Sequence, residues 1–129
     1  MKLTILGCYA ATPRTLTNPT SQVLEIKNRL FLIDCGEGTQ VQLRKNKLKF
    51  SKINHVFISH LHGDHSGGNE NFKRMGVTVV AHQMVRDRMS KEKVNAATKE
   101  VTPPRDKDAL PEITFAERIS FHLNDEDIE

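Results

Sequence analysis

Residues 59–65 read Ser-His-Leu-His-Gly-Asp-His, which places three imidazoles and one carboxylate within six positions, 60–65. The stretch follows directly on His55-Val56-Phe57-Ile58, an apolar run that reads as a buried strand. His60 and His62 are two apart in what should be extended chain, so their rings leave on one side. Gly63 permits a sharp turn, after which Asp64 and His65 point at a second spot nearby. Neutral imidazole and carboxylate oxygen are the ligands that borderline divalent cations such as zinc accept. A solvated polar loop would match these four side chains only by accident. The reading is therefore a strand that ends in much of a two-metal site, and the fold must bring other strand ends to the same rim.

Composition sets the outer limits. A chain of 129 residues builds one domain around one core. Charged residues make up 27% with a net charge of +3, which permits contact with a polyanion but does not demand it. No apolar run is long enough to cross a bilayer. Met1-Lys2-Leu3-Thr4-Ile5-Leu6-Gly7 is too short in its apolar part for a secretory signal and reads as a first strand. Cys8 and Cys35 are the only cysteines. Reduced thiols in a cytoplasmic protein are the expectation. Cys35 lies beside Asp34, and its commoner meaning is a small buried residue.

Along the chain, a strand is expected at Lys2–Leu6, a loop over 7–20, and two strands at 21–26 and 29–33 joined by the turn Lys27-Asn28. Thr39 is placed as the cap of a helix running to about Lys47. A strand at 52–58 delivers the metal loop. Next come a short helix at 69–74 stopped by Gly76, a strand at 77–81 and helical spacing at 83–91. Residues 92–111 are polar and read as a mobile loop or flap, 117–123 as a strand with one wet face, and the acidic tail 124–129 as a fraying turn. Strands alternating with helices give an α/β class, with 1–129 as a single domain.

The pattern His60-x-His62-x-Asp64-His65 resembles the signature of the metallo-β-lactamase superfamily. The resemblance implies that His60 and His62 bind one metal, and that Asp64 and His65 bind the other. It implies zinc, up to two ions in a complete site, with manganese or iron as alternatives, and a catalytic role for Asp64 in orienting the attacking water. Residues 1–65 resemble the ribonuclease Z branch, which trims the 3′ end of precursor tRNA. The residues that carry this are Leu6-Gly7-Cys8, Pro13, Asn18-Pro19-Thr20-Ser21, Leu32-Ile33-Asp34-Cys35-Gly36-Glu37-Gly38-Thr39-Gln40 and the metal motif itself. From Ser66-Gly67-Gly68-Asn69 onward, through Val79-Val80-Ala81-His82, Leu110-Pro111 and Ser120-Phe121-His122-Leu123-Asn124, the chain is similar to general hydrolases of the same superfamily. A seam is expected near 65–70, as in an N-terminal half or a recombined or engineered chimera.

Relatives carry further ligands beyond this span: a third histidine, a bridging aspartate and a late histidine. No motif here matches them. His82 is read as structural, His122 as a wet-face residue and His55 as a surface or packing residue. Asp34 either orients a ligating histidine from behind or caps the Gly-rich turn. Arg44, Lys45, Lys47, Lys49 and Lys52 either touch an RNA backbone or solvate a helix face. The fold implied is half of an αββα sandwich, a mixed sheet with helices on one face. Its other face would be apolar and uncovered, so a homodimer is expected. The leading function is an incomplete ribonuclease-Z-like phosphodiesterase acting on RNA. The alternatives are a hydrolase of thioesters, lactams or lactones, and a non-catalytic zinc-binding scaffold.

Overall fold

The computed structural model describes residues 1–10, 14–123 and 126–128. Pro13 and, of the tail 124–129 expected as a fraying turn, residues 124, 125 and 129 lie outside the described residues. In chain order the strands are β1 (Lys2–Gly7), β2 (Ser21–Ile26), β3 (Arg29–Cys35), β4 (Ile53–Ile58), β5 (Thr78–His82), β6 (Lys93–Val94), β7 (Val101–Thr102), β8 (Ile113–Phe115), β9 (Phe121–Leu123) and β10 (Glu126–Ile128). The helices are α1 (Thr39–Lys45), α2 (Gly63–Ser66), α3 (Asn69–Arg74) and α4 (Gln83–Met89). One sheet holds six strands in the order β1-β2-β3-β4-β5-β8.

The sheet is mixed for a local reason. Lys27 and Asn28 both take positive φ, 43° and 64°. Such a primed turn matches the twist of the flanking strands, so β2 folds back on β3 as an antiparallel hairpin. From β3 onward the strands β4, β5 and β8 are parallel, and each return passes through helix. Those helices share one face. Leu43 of α1 and Phe72 of α3 are fully buried, and Val85 of α4 packs on the same cluster with Leu6, Val23, Leu32, Val56, Val79 and Ala81. Burying a side chain such as Phe72 stabilises by roughly 1.5–3 kcal/mol. Gly76, at φ 82°, closes α3 where the sequence places its stop. Its N–H donates to Lys73 O.

The opposite face carries the alternate residues. Cross-strand pairing aligns Leu3, Leu24 and Phe31 in one row, and Ile33, Phe57 and Val80 in another. An apolar trough of about 470 Å³ runs over it, bounded by Phe115, Ile119 and Phe121. Leu3 and Ile5 remain 54% and 52% exposed. The mixed sheet with helices on one face is thus present, and so is the apolar second face.

Three expectations need correction. Thr39 does not cap α1; Gly38 does, in the left-handed region at φ 83°, and the Thr39 hydroxyl donates back to Gly36 O at 2.7 Å. The segment 92–111 is built rather than loose. Strands β6 and β7 pair antiparallel, and Asn95 Oδ1 accepts the N–H groups of Ala97 and Thr98 to shape the turn between them. Finally, the tail supplies β10, which pairs with β9, so 126–128 is strand rather than frayed turn.

The main sheet runs across the expected seam, and the packing there is backbone against backbone. Gly68 N–H donates to Cys35 O at 2.7 Å. A Cβ on Gly36 would stand 2.4 Å from Asp64 O, and one on Gly68 would stand 2.7 Å from Cys35 O. Asn69, fully buried, accepts the Cys35 thiol proton at 3.0 Å and donates to Ala109 O at 2.9 Å.

Candidate metal centre

Strands β3 and β4 lie side by side and parallel, so their carboxyl ends meet at one rim. Asp34 sits at the end of β3, and Ser59 and His60 follow β4 directly. Asp34 is 3% exposed and holds φ at 57°, a left-handed conformation that a short polar side chain tolerates better than most. This backbone turn aims its carboxylate across the rim. Oδ1 accepts Ser59 N–H at 2.8 Å, and Oδ2 accepts the Ser59 hydroxyl at 2.6 Å. Oδ2 also lies 2.8 Å from His65 Nδ1.

That last contact sets the chemistry of His65. A carboxylate that buries its charge against Nδ1 assigns the proton there, leaving the Nε2 lone pair for another partner. Nε2 stands 3.7 Å from Asp64 Oδ2. His60 and His62 form the second pair. Their facing nitrogens, Nε2 and Nδ1, are 2.9 Å apart, and the rings cross at 85°. Two nitrogens on one tetrahedral zinc, each about 2.0–2.1 Å from the ion, sit roughly 3.3 Å apart. The rings of His60 and His65 are 5.3 Å apart, which joins the two pairs.

The turn between them is held from below. Buried Ser66 donates its hydroxyl to His62 O at 2.9 Å and lies 3.1 Å from Leu61 O. His62 precedes α2 with extended φ and ψ of −68° and 156°. The structure thus brings together all four residues expected as ligands, and Asp34 with them. They stand as two pairs: among the described residues, no group of three or more His, Cys, Asp or Glu side chains converges to hold a single ion. The donor types fit a borderline divalent cation, two ligands to each pair.

The remaining candidates lie elsewhere. His82 caps α4, with Nδ1 accepting Met84 N–H at 3.1 Å. His122 is exposed on β9. His55 packs against Phe121 with ring centroids 5.5 Å apart, and burial lowers its pKa below the ordinary imidazole value. Cys35 is buried; burial first, and the Asp34 charge second, push its thiol well above the ordinary range, so it is no nucleophile. Arg44, Lys45, Lys47, Lys49 and Lys52 are all exposed.

Sequence reasoning missed Ser59, whose backbone and hydroxyl both bind Asp34. Its position directly before His60 was the available signal. It also missed Arg105, whose Nη2 lies 3.4 Å from where a Cβ on Gly63 would sit. No pattern within the sequence links positions that far apart.

The family model described as anti-Pycsar protein Apyc1 matches residues 1–87, more than half of the 129-residue chain. The chain belongs to that family. This Apyc1-family chain is also 61% identical over 67 residues to ribonuclease Z of Bacteroides fragilis, covering 52% of the chain and 22% of that protein. It is 64% identical over 64 residues to ribonuclease Z of Phocaeicola vulgatus, covering 50% and 21%. The chain thus spans about a fifth of the length of these curated relatives. Human tRNase Z, short form, superposes with a TM-score of 0.61 at 36% identity, over 68% of this chain and 36% of that one. A metallo-beta-lactamase from Cronobacter sakazakii superposes with a TM-score of 0.67 at 20% identity, over 92% of this chain and 46% of that one. The fold is that of the metallo-β-lactamases, of which the Apyc1-family chain covers part.

Proposed function

We propose that this chain is the metal-binding portion of a metal-dependent phosphodiesterase of ribonuclease Z type, acting on RNA. The observation that carries the proposal is the Ser59–Asp34–His65 network, which fixes a histidine tautomer at the parallel strand ends beside three further donor side chains. A structural histidine needs no buried carboxylate behind it; a ligating one is commonly held this way. The 61% identity to ribonuclease Z over 67 residues supports the phosphodiester as substrate.

The fold relatives imply a divalent cation, and the donor set of three imidazoles and a carboxylate favours zinc. When bound, the cation would supply Lewis-acid activation of water and positive charge for the phosphate. In this reading His60 and His62 hold one ion, and Asp64 and His65 the other. Asp64 also orients the attacking water and takes its proton. Asp34 keeps His65 in register. We place the protein in the cytoplasm, in line with its two free cysteines. Among the described residues no helix is long and apolar enough to cross a membrane.

The partly covered apolar trough on the second sheet face is where we place a partner, and a second copy of the chain is the occupant we propose. Leu24, Phe31, Ile33 and Phe57 would meet their counterparts about a twofold axis. Sedimentation at micromolar concentration should show a dimer; a folded monomer there removes this part. A non-catalytic zinc-binding scaffold is the second reading, favoured by donors that stand in pairs rather than as one cage. Metal content and hydrolysis of a phosphodiester, a thioester and a β-lactam separate the readings. Bound zinc that is lost in His60→Ala, together with phosphodiester cleavage, supports the first. Bound zinc without turnover supports the second, and no bound metal removes both.

A further inference from the structure

Residues 103–111 form a strut that crosses from α4 towards the metal loop. Pro103 and Pro104 restrict its entry. Arg105 N–H donates to the carbonyl of buried Met89 at 2.8 Å, at the end of α4. Asp106 accepts Asp108 N–H at 2.9 Å, which closes the turn that follows. Beyond it, Ala109 O accepts from Asn69 at 2.9 Å, and Leu110 O accepts Lys73 Nζ at 3.3 Å, with Leu110 and Pro111 buried. From this anchored backbone the exposed Arg105 side chain reaches the turn between His62 and Asp64, its Nη2 only 3.4 Å from where a Gly63 Cβ would lie. A glycine at 63 keeps the floor beneath the guanidinium low.

We propose that Arg105 is a substrate-binding residue whose guanidinium takes non-bridging phosphate oxygens of the substrate at the metal centre. The assignment rests on the phosphodiesterase reading above. A guanidinium stays charged at any working pH, and its planar fork matches two phosphate oxygens. Nearby Lys73 is drawn to Glu112 at 3.6 Å and to the strut's own carbonyls, so it serves the scaffold. The Arg105 guanidinium is placed by the structure against the histidine–aspartate turn.

The test compares the zinc-loaded chain with Arg105→Lys and Arg105→Gln. Zinc content is measured first, then calorimetric titration with inorganic phosphate, then KM and kcat on bis(p-nitrophenyl) phosphate. Zinc content should be unchanged in both variants. Phosphate affinity should fall about tenfold or more in Arg105→Gln and by less in Arg105→Lys, which keeps the charge and loses the fork. KM should rise by a similar factor while kcat stays within about twofold, the mark of uniform substrate binding. Equal phosphate affinity in the parent and Arg105→Gln at equal zinc content overturns the role of Arg105 and leaves the phosphodiesterase reading standing. A parent chain that binds zinc but neither phosphate nor the diester overturns both.

Discussion

Asp34 shows how much rests on one side chain. Its backbone stands in the left-handed region, and its carboxylate accepts from Ser59 twice and faces His65. Asp34→Asn keeps a residue that tolerates this φ and removes the charge, so folding should survive. Zinc affinity should fall about 10- to 100-fold, read by competition with a chromophoric chelator. The two thiols give a second check: burial and the neighbouring Asp34 charge disfavour the Cys35 thiolate, while Cys8 is exposed. A thiol reagent should modify one cysteine per native chain and both after denaturation. His55 offers a pH readout. Burial depresses its pKa in the fold, so the unfolded chain takes up the proton first as pH falls. Its contribution is fully present above the ordinary imidazole pKa and is lost as pH drops through the folded value. Urea midpoints at pH 7.5 and pH 5 should therefore differ less in His55→Leu than in the parent.

At the scale of elements, the strands β1 to β5 and helices α1, α3 and α4 were legible because each carries its own periodicity and stop signals. The Lys27-Asn28 turn and the Gly76 stop needed only local chemistry. The strands β6, β7, β8 and β10 were not legible as such. They are two or three residues long, and β6 and β7 are exposed at every position, so pairing rather than pattern defines them. Thr39 misled because a hydroxyl before a helix usually caps it, whereas here the left-handed Gly38 takes that position. The site divides the same way. Its four donors fall within six positions of the sequence, while Ser59 and Arg105 gain meaning only through contacts 25 residues away and across the strut. The join at Gly68 gives the sharpest test at this scale. Gly68→Ala would press a methyl onto Cys35 O and strain the 2.7 Å hydrogen bond beside it. The cost should be about 1–3 kcal/mol, seen as a lower urea midpoint.

For the molecule as a whole, the sheet joins segments from both sides of residue 65 through the parallel pairing of β4 and β5. The helical face is closed by a buried core, while the opposite face carries an apolar trough of buried and half-buried side chains that Phe115 and Phe121 cover in part. The backbone contacts that lock Gly36 to Asp64 and Gly68 to Cys35 involve no donor side chain. The position of the loop therefore rests on backbone packing and not on its imidazoles and carboxylate, unlike small domains whose folding waits for metal. Treating the protein with a chelator should leave its far-ultraviolet circular dichroism and cooperative melt in place, and zinc bound as proposed should raise the melting temperature only as far as mass action requires.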